Sequence, residues 1–522
     1  MKQNHFLATM KTCLLAVASS VLLFTSCAQD GFDDGESFTG TIESGDVLSA
    51  PDVATFNVKS STDRTMQTIS WKAVSGALDY LVTIYTNDAP FTDDVTGTLV
   101  VQDSLVHNPY VGIPRLKATY YRIMVRSAEN KAEKNPASEE SAQFDWDTYL
   151  IEVAVVAKEG EESVDFAKFM EENPIAQIVA DFGVVCPVVY YFNSNIPYTM
   201  SNTVDFGGYE VTLASESEDN KPIITLGEKA VFSTYSSFTL ENLRINCADI
   251  NTTLVKALIT LSDTPDEALK GATGSGDYYN IQSAITLNGC EISNMPFRII
   301  FDNDVKYCLE TFEINNSTLQ FDITSNLAAQ GYIDMQKGFI KDLILTNSSF
   351  WNVGENDIQY FIKYQNAGRL DRAGYDKTTE TESVSHESCT FYNIANSSNG
   401  QWANYPGIVG QAYTTFSIKN NIFVNCSSSG GGIARRLLGG RTADNYTTKC
   451  DFYKNTYWSN GKAEAEGAPG TEGTSSYDRS GTALQTDPQL FAPDSDPANL
   501  MPQGAEQVEN KTGDPRWWPV EE

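Results

Sequence analysis

The sequence predicts an all-β chain in two parts, an antiparallel sandwich followed by a parallel β-helix, on three observations. Short apolar runs of period two fill residues 51–146. A six-residue phrase recurs between Phe206 and Tyr457. The spacing between its copies is uneven, as expected when each turn of a coil keeps its strands and varies its loops.

The chain opens with Lys2 and Lys11, then the apolar run Cys13 to Phe24, then Thr25-Ser26-Cys27. A basic start, a greasy middle and small residues before a cysteine mark residues 1–26 as an export signal. The apolar run is too short to cross a bilayer as a helix, which takes about 20 residues. Leu23-Phe24-Thr25-Ser26-Cys27 resembles the lipobox of bacterial lipoproteins, which implies that Cys27 is the lipidated first residue of the mature chain. Residues 27–50 begin Ala28-Gln29-Asp30-Gly31-Phe32-Asp33-Asp34 and resemble the acidic tether that sends Bacteroidota lipoproteins to the outer face of the outer membrane. No later segment is long and apolar enough to span, so lipid is the expected anchor.

The formal net charge is −32, and removing residues 1–26 deletes two lysines and no acid, giving −34. Nucleic acid is therefore a poor partner, since binding it needs clustered Lys and Arg to displace counterions from phosphate. The nine cysteines do not form an obvious disulfide framework. Cys13 leaves with the signal and Cys27 is acylated, so Cys186, Cys247, Cys290, Cys308, Cys389, Cys426 and Cys450 remain, an odd number in a chain large enough to build its own core. Most are expected to be buried thiols.

Within 51–146 the strands read Thr68-Ile69-Ser70-Trp71, Tyr80 to Tyr85 and Tyr120 to Val125, with turn residues between. Trp71, Leu116 and Tyr121-x-Ile123-x-Val125 resemble the core tryptophan and tyrosine corner of fibronectin type III domains. That resemblance implies a spacer module of roughly 95 residues.

Residues 147–522 are assigned to the β-helix and its C-terminal cap. An apolar strand at Ile151 to Ala157 and a helical stretch from Ser163 to Met170 lead into the repeat. The phrase places an apolar residue, a small or Asn residue two later and a closing apolar residue five later, as in Leu240-Glu241-Asn242-Leu243-Arg244-Ile245. It returns at Phe206 to Val211, Leu287 to Ile292, Ile314 to Leu319, Leu345 to Phe350, His386 to Phe391, Ile418 to Phe423 and Phe452 to Tyr457. The second position (Gly208, Asn242, Gly289, Asn316, Asn347, Ser388, Asn420, Lys454) mostly holds residues that tolerate a left-handed bend. Asn294, Asn352, Asn393 and Asn425 fall two past the closing position and are expected to stack as an inner asparagine ladder. Cys290, Cys389, Ser317 and Ser348 share another column of small core residues. A leucine-rich solenoid would need several Leu per repeat at near-constant length, and these are missing.

The repeat resembles the right-handed parallel β-helix of the pectate-lyase-like superfamily. Lipobox, fibronectin-like module, β-helix and the closing Gly513-Asp514-Pro515-Arg516-Trp517 together resemble a set of Bacteroidota surface lipoproteins associated with polysaccharide use. The resemblance supplies no catalytic motif. A polygalacturonase-type hydrolase needs paired aspartates in Asn-Thr-Asp and Asp-Asp motifs, a Gly-His-Gly and an Arg-Ile-Lys, none of which occurs. Of the three histidines, His5 lies in the signal, His107 in the first domain, and His386 at a core position of the repeat.

A polysaccharide lyase needs a Lys or Arg to take the proton beside a uronate carboxylate, and Ca²⁺ or Arg to neutralise that carboxylate. Arg435, Arg436 and Arg441, in the glycine-rich run from Gly430, are the sharper candidates, with Arg369 and Arg372 behind them. Equally, these arginines can pair with the chain's own acids. Asp302 and Asp304 are candidate Ca²⁺ ligands, or simply turn residues. For binding without chemistry, the residue after each closing position should face outward. That column contains Trp351, Tyr392 and Trp458, a candidate platform for sugar rings, with Trp402 and Tyr405 in a nearby loop; a covering loop such as 354–383 would instead make them a satellite core.

The leading expectation is a non-catalytic, lipid-anchored surface protein that binds or scaffolds polysaccharide beside import and degradation machinery. The alternatives are a divergent lyase of uronate-containing, pectin-like glycans, with Ca²⁺ or Arg to neutralise the carboxylate, and an adhesin or structural stalk.

Overall fold

The computed structural model describes residues 48–60, 66–92, 97–128, 137–217, 220–271, 277–364, 370–397, 399–404, 411–427, 433, 449–463, 478 and 480–519. The chain divides into two compact units, one ending at Thr148 and the other beginning at Tyr149.

The first unit is a sandwich of two antiparallel sheets. Met66–Ser70 runs between Asn57–Ser60 and Tyr110–Pro114, and a four-stranded sheet has the order Thr98–Val106, Asp79–Asn87, Tyr120–Ala128, Phe144–Asp147. Alternation drives Tyr80, Val82 and Ile84 inward from one strand and Tyr121, Ile123 and Val125 from its neighbour. Trp71 packs against Phe56 and, edge-on, against Tyr80, at ring separations of 5.6 and 5.3 Å. The Tyr121 hydroxyl accepts the Leu116 N–H at 2.8 Å and donates to the Pro114 carbonyl at 3.2 Å. Trp71, Tyr121, Ile123 and Val125 thus belong to this core, whereas Leu116 is exposed.

The second unit is a coil of parallel strands that visits three sheets in turn. Among the described residues the first sheet has ten strands, from Ile151–Val155 to Lys449–Tyr453. The second has eleven, from Val164–Asp165 to Lys462–Ala463, and the third seven, from Val204–Asp205 to Gln401–Asn404. Every pairing within them is parallel except the closing hairpin of Thr456–Ser459 with Lys462–Ala463. Two helices, α1 (Phe166–Glu172) and α2 (Ile175–Phe182), add Phe166, Ala167, Ile175 and Val179 to the coil's hydrophobic core near its start. The coil thus begins at Ile151, well before the first copy of the phrase.

Pairing register explains the phrase. Ile245, Ile292, Leu319, Phe350, Phe391, Phe423 and Tyr457 stack in one column of the second sheet. Phe350, Phe391, Phe423 and Tyr457 stack in succession with nearly parallel ring planes, their centroids 4.9, 5.0 and 5.5 Å apart. The apolar opening positions, Leu240 through His386 to Phe452, stack in the first sheet. Between the two sheets the chain turns on one residue of positive φ: Asn242, Gly289, Asn316, Asn347, Ser388, Asn420 or Lys454, with φ between 46° and 65°. The copy at Phe206 to Val211 does not belong to this set. Val211 pairs with Val188 and Phe238 in the first sheet, and the second-sheet partner of Ile245 is Ile224. That copy spans the other corner, from third sheet to first, where the same alternation recurs.

The expected asparagine ladder also lies elsewhere. Extending the pairing of Phe321 with Asn352 and of Tyr392 with Val424 does set Asn352, Asn393 and Asn425 in one row, while Asn294 sits at a register shift. However, Asn294, Asn393 and Asn425 adopt positive φ and are half-buried. The inner ladder is the column Cys290, Ser317, Ser348, Cys389, Asn421, Asn455, one residue past the left-handed corner. There four of the five steps are bridged by a side chain that accepts the N–H of the preceding coil: Cys290 N–H to Ser317 Oγ, Ser317 N–H to Ser348 Oγ, Cys389 N–H to Asn421 Oδ1 and Asn421 N–H to Asn455 Oδ1, at 2.9–3.1 Å. Cys247, Cys290, Cys308, Cys389 and Cys426 are buried, and burial pushes the Cys290 thiol up to about 12.

Candidate functional site

The outward column of the second sheet has the predicted register, Gln320, Trp351, Tyr392, Val424, Trp458 in successive coils. Its exposure does not match the expectation of an open platform. Trp351 and Tyr392 each keep 8% of their surface, because Ala498, Leu500, Leu490 and Trp517 pack over them. The cover is the C-terminal segment and not the loop at 354–383. Tyr392 donates to Asp494 at 2.8 Å, and burial with that carboxylate pushes its phenol up to about 12.

This strap is pinned across several coils. Arg516 donates to the carbonyls of Asn316, Ser317 and Asn347 at 2.9, 2.6 and 3.1 Å. Asp514, fully buried, accepts from Ser349 Oγ at 2.6 Å and pairs with Arg516. Gly513 takes φ +79° with its N–H on the Asn420 carbonyl, where a Cβ would come within 2.8 Å of Thr390 and Ile422. An outward apolar column left in water would forfeit its burial energy, and the strap recovers it. Trp402 is also corrected: it is fully buried, edge-on to Phe391 and Phe423 inside the coil. Tyr405 lies outside the described residues, as do Arg435, Arg436, Arg441, Arg369 and Cys27.

Asp302 and Asp304, the candidate Ca²⁺ ligands, lie at one turn in different surroundings. Asp302 is fully buried and its oxygens accept the N–H groups of Asp304, Lys337 and Gly338 at 3.2, 2.6 and 2.7 Å. It ties a corner of the third sheet, and burial pushes its carboxyl up to about 6. Asp304 is exposed at positive φ. Among the described residues no group of three or more His, Cys, Asp or Glu is placed to hold a metal ion. His386 is fully buried among Phe361, Phe391 and Trp402, with Nδ1 on the Ser385 carbonyl at 2.8 Å. Burial drives its imidazole down to about 4.

A face whose outward side chains stay partly exposed is the outer side of the first sheet, which sequence reasoning passed over because its only aromatic among the described columns is Tyr453, at the end. Its strands alternate strictly, with buried Phe238, Leu240, Ile285, Leu287, Phe312, Ile314, Leu343 and Leu345 inside. Outside, three in-register columns run from coil to coil at about 4.8 Å. One reads Thr239, Thr286, Glu313, Ile344, Ser385, Ser417, Asp451; a second Glu241, Asn288, Asn315, Thr346, Glu387, Lys419, Tyr453; a third Ala284, Thr311, Asp342, Ser383, Thr415, Lys449. These side chains are half-exposed or exposed. The amides and hydroxyls orient one another: Thr346 Oγ1 donates to Asn315 Oδ1 at 2.9 Å, and Asn315 Nδ2 to Asn288 Oδ1 at 3.4 Å.

One flank of this face is fixed by a charged knot. Lys341, 8% exposed, lies 2.6 Å from Glu310, 3.4 Å from Glu380 and 3.6 Å from Asp342. Burial opposes its charge, but the Glu310 hydrogen bond and the surrounding carboxylates outweigh it and raise its pKa. Lys341 is therefore an ammonium and not a proton acceptor. Tyr375 donates to Glu310 from the loop above, and Ser383 donates to Asp342 at 2.6 Å. Burial raises the Asp342 carboxyl, partly offset by Ser383 and Lys341. Chemically, the face offers a regular array of hydroxyls, amides and carboxylates, each able to exchange hydrogen bonds with hydroxyl groups.

Comparison with known proteins adds the following. A family described as a domain of unknown function (DUF4992) matches residues 1–190, taking in the sandwich and the first coil, and another so described (DUF4957) matches residues 197–353. No curated protein matches the chain. Among solved structures the chain is similar to the pectate lyase PelI of Erwinia chrysanthemi in complex with tetragalacturonic acid, at 8% identity and TM-score 0.19 over 67% of this chain and 87% of that one. It is also similar to a Family 28 exopolygalacturonase of Yersinia enterocolitica, at 10% identity and TM-score 0.24 over 80% and 88%. The parallel pairing of the three sheets establishes the β-helix independently of these likenesses.

Proposed function

We propose that this chain is a non-catalytic, lipid-anchored protein of the outer membrane, facing the cell exterior, that binds or scaffolds polysaccharide for utilisation. In this reading Cys27 carries the lipid and residues 27–50 are the tether. The sandwich, with its Trp71 core and Tyr121 corner, is a fibronectin type III-like spacer. The observation that carries the binding assignment is the outer face of the first sheet: in-register polar columns, repeated at a spacing close to one sugar residue of an extended glycan, on a rigid coil. Interaction through such a face is summed over many weak hydroxyl contacts, so it suits a polymer better than a small ligand. The neighbouring import and degradation machinery would then receive the captured chain.

Affinity gel electrophoresis of the full chain against a panel of soluble glycans tests this. Retardation by at least one polymer is expected, weakened about tenfold when Thr286→Val, Ser385→Ala and Ser417→Ala are combined, equivalent to about 1.4 kcal/mol. Retardation by none favours the stalk. Release of ultraviolet-absorbing unsaturated products from a uronate polymer, abolished by Arg435→Ala or Arg441→Ala, would replace binding with lyase chemistry.

A further inference from the structure

The charge pattern of the first-sheet face narrows the class of glycan, given the binding reading above. Carboxylates dominate it: Glu241, Glu313, Asp342, Glu387 and Asp451 lie in the columns, with Glu310 and Glu380 on the flank. Among the described residues two of the three ammonium groups of this face are paired. Lys341 is enclosed by Glu310, Asp342 and Glu380, and Lys419 pairs with Asp451 at 2.5 Å, leaving Lys449 on the last strand.

A polymer laid across the coils passes over Glu313 and Glu387, and with coils about 4.8 Å apart its residues there and on the adjoining coils lie inside the screening length of about 8 Å at physiological salt. A uronate carboxylate laid there meets like charge at the coils of Glu241, Glu313, Asp342, Glu387 and Asp451. A neutral sugar meets acceptors instead, since its hydroxyls donate to carboxylates in charge-assisted bonds and exchange ordinary ones with Thr286, Asn288, Asn315, Ser385 and Ser417. The hydroxyl columns and the acidic residues thus favour the same ligand.

We infer that the face selects uncharged polysaccharides and rejects uronate polymers. The test compares xyloglucan and galactomannan with polygalacturonate, using the full chain and its Glu313→Gln, Glu387→Gln double variant, in affinity gels at low and at physiological salt. A neutral polymer should be held at least about tenfold more tightly than polygalacturonate, the scale of one adverse charge contact. The double variant should narrow that gap by improving polygalacturonate, and added salt should do the same in the unmodified chain. Polygalacturonate bound as tightly as the neutral polymers overturns the inference while leaving polysaccharide binding intact. Binding to no glycan overturns the binding reading, and this inference with it. An unchanged gap in a variant that keeps the thermal midpoint of the unmodified chain also overturns it, by assigning discrimination to another surface.

Discussion

Asn421 donates from Nδ2 to Oδ1 of Asn455, one coil further on, at 3.0 Å, and both side chains are fully buried. The same Asn421 amide donates to the His386 carbonyl at 2.7 Å and accepts from the Cys389 N–H at 2.9 Å. One side chain therefore satisfies polar groups of three successive coils, in a core that gives them no water.

Replacing Asn421 by Ala should be among the most damaging single changes in the coil. It leaves the Cys389 N–H and the His386 carbonyl without that partner, and each unsatisfied buried group costs about 1–3 kcal/mol. Asn421→Ser, which imitates Ser348 in the same column, should lose less. Urea unfolding followed by far-ultraviolet circular dichroism would rank the two, and equal midpoints would contradict the ladder's importance.

Arg516→Ala should loosen the strap while leaving the coil folded. Its loss removes hydrogen bonds to three carbonyls and leaves the buried Asp514 charge without its partner. Breaking such a pair costs about 3–5 kcal/mol. Trp351 should then reach water, giving red-shifted tryptophan emission and early proteolytic cleavage in residues 480–519. Arg516→Lys should rescue only part, since a single ammonium cannot reproduce the planar fork.

His386 should make the coil acid-sensitive. Its ordinary value of 6.5 falls to about 4 in the folded chain because burial disfavours the imidazolium. Below about pH 6.5 the unfolded chain takes up a proton that the folded chain refuses. The contribution is full above that pH and is lost as pH falls through about 4, by roughly 3 kcal/mol. Asp302 and Asp357, both pushed up to about 6 by burial, act in the opposite sense over the same window. The measurement is therefore the difference between the unmodified chain and His386→Leu, a residue suited to a column that holds Leu345 and Ile418. That difference should shift in favour of the variant between pH 7 and pH 4.

Lys454 puts a long cationic side chain at the left-handed corner between the first and second sheets, with φ 48°. That conformation costs a side-chain-bearing residue about 1–2 kcal/mol, less for Asn. Lys454→Asn should raise stability by about 0.5–1 kcal/mol, read as a higher thermal midpoint. No gain would mean that the Lys454 ring contact with Tyr453 offsets the strain.

The coil's strand columns and its corners were legible because burial fixes them residue by residue: the same face must be apolar in each turn, and the same corner must accept positive φ. The phrase at Phe206 misled because two different corners share one alternation, and only pairing partners separate them. The asparagines at 294, 393 and 425 were misread for a related reason. A left-handed residue turns its side chain off the strand's alternation, so counting by twos fails at the bend. The strap was not legible at all, since Arg516 reaches partners 169 to 200 residues away and no periodicity connects them. The aromatic column therefore looked open when read alone. The first-sheet face was overlooked for the opposite reason, being composed of residues that any solvated strand could carry.

The tie from Arg516 also bears on the order in which the molecule is finished. A coil held together only by neighbouring turns can lengthen and fray one turn at a time from either end. Here residues 490–517 are needed to close contacts on turns made up to two hundred residues earlier. Those middle turns carry an uncovered greasy stripe until residues 490–517 have been made, and a chain cut short before Leu490 would keep it.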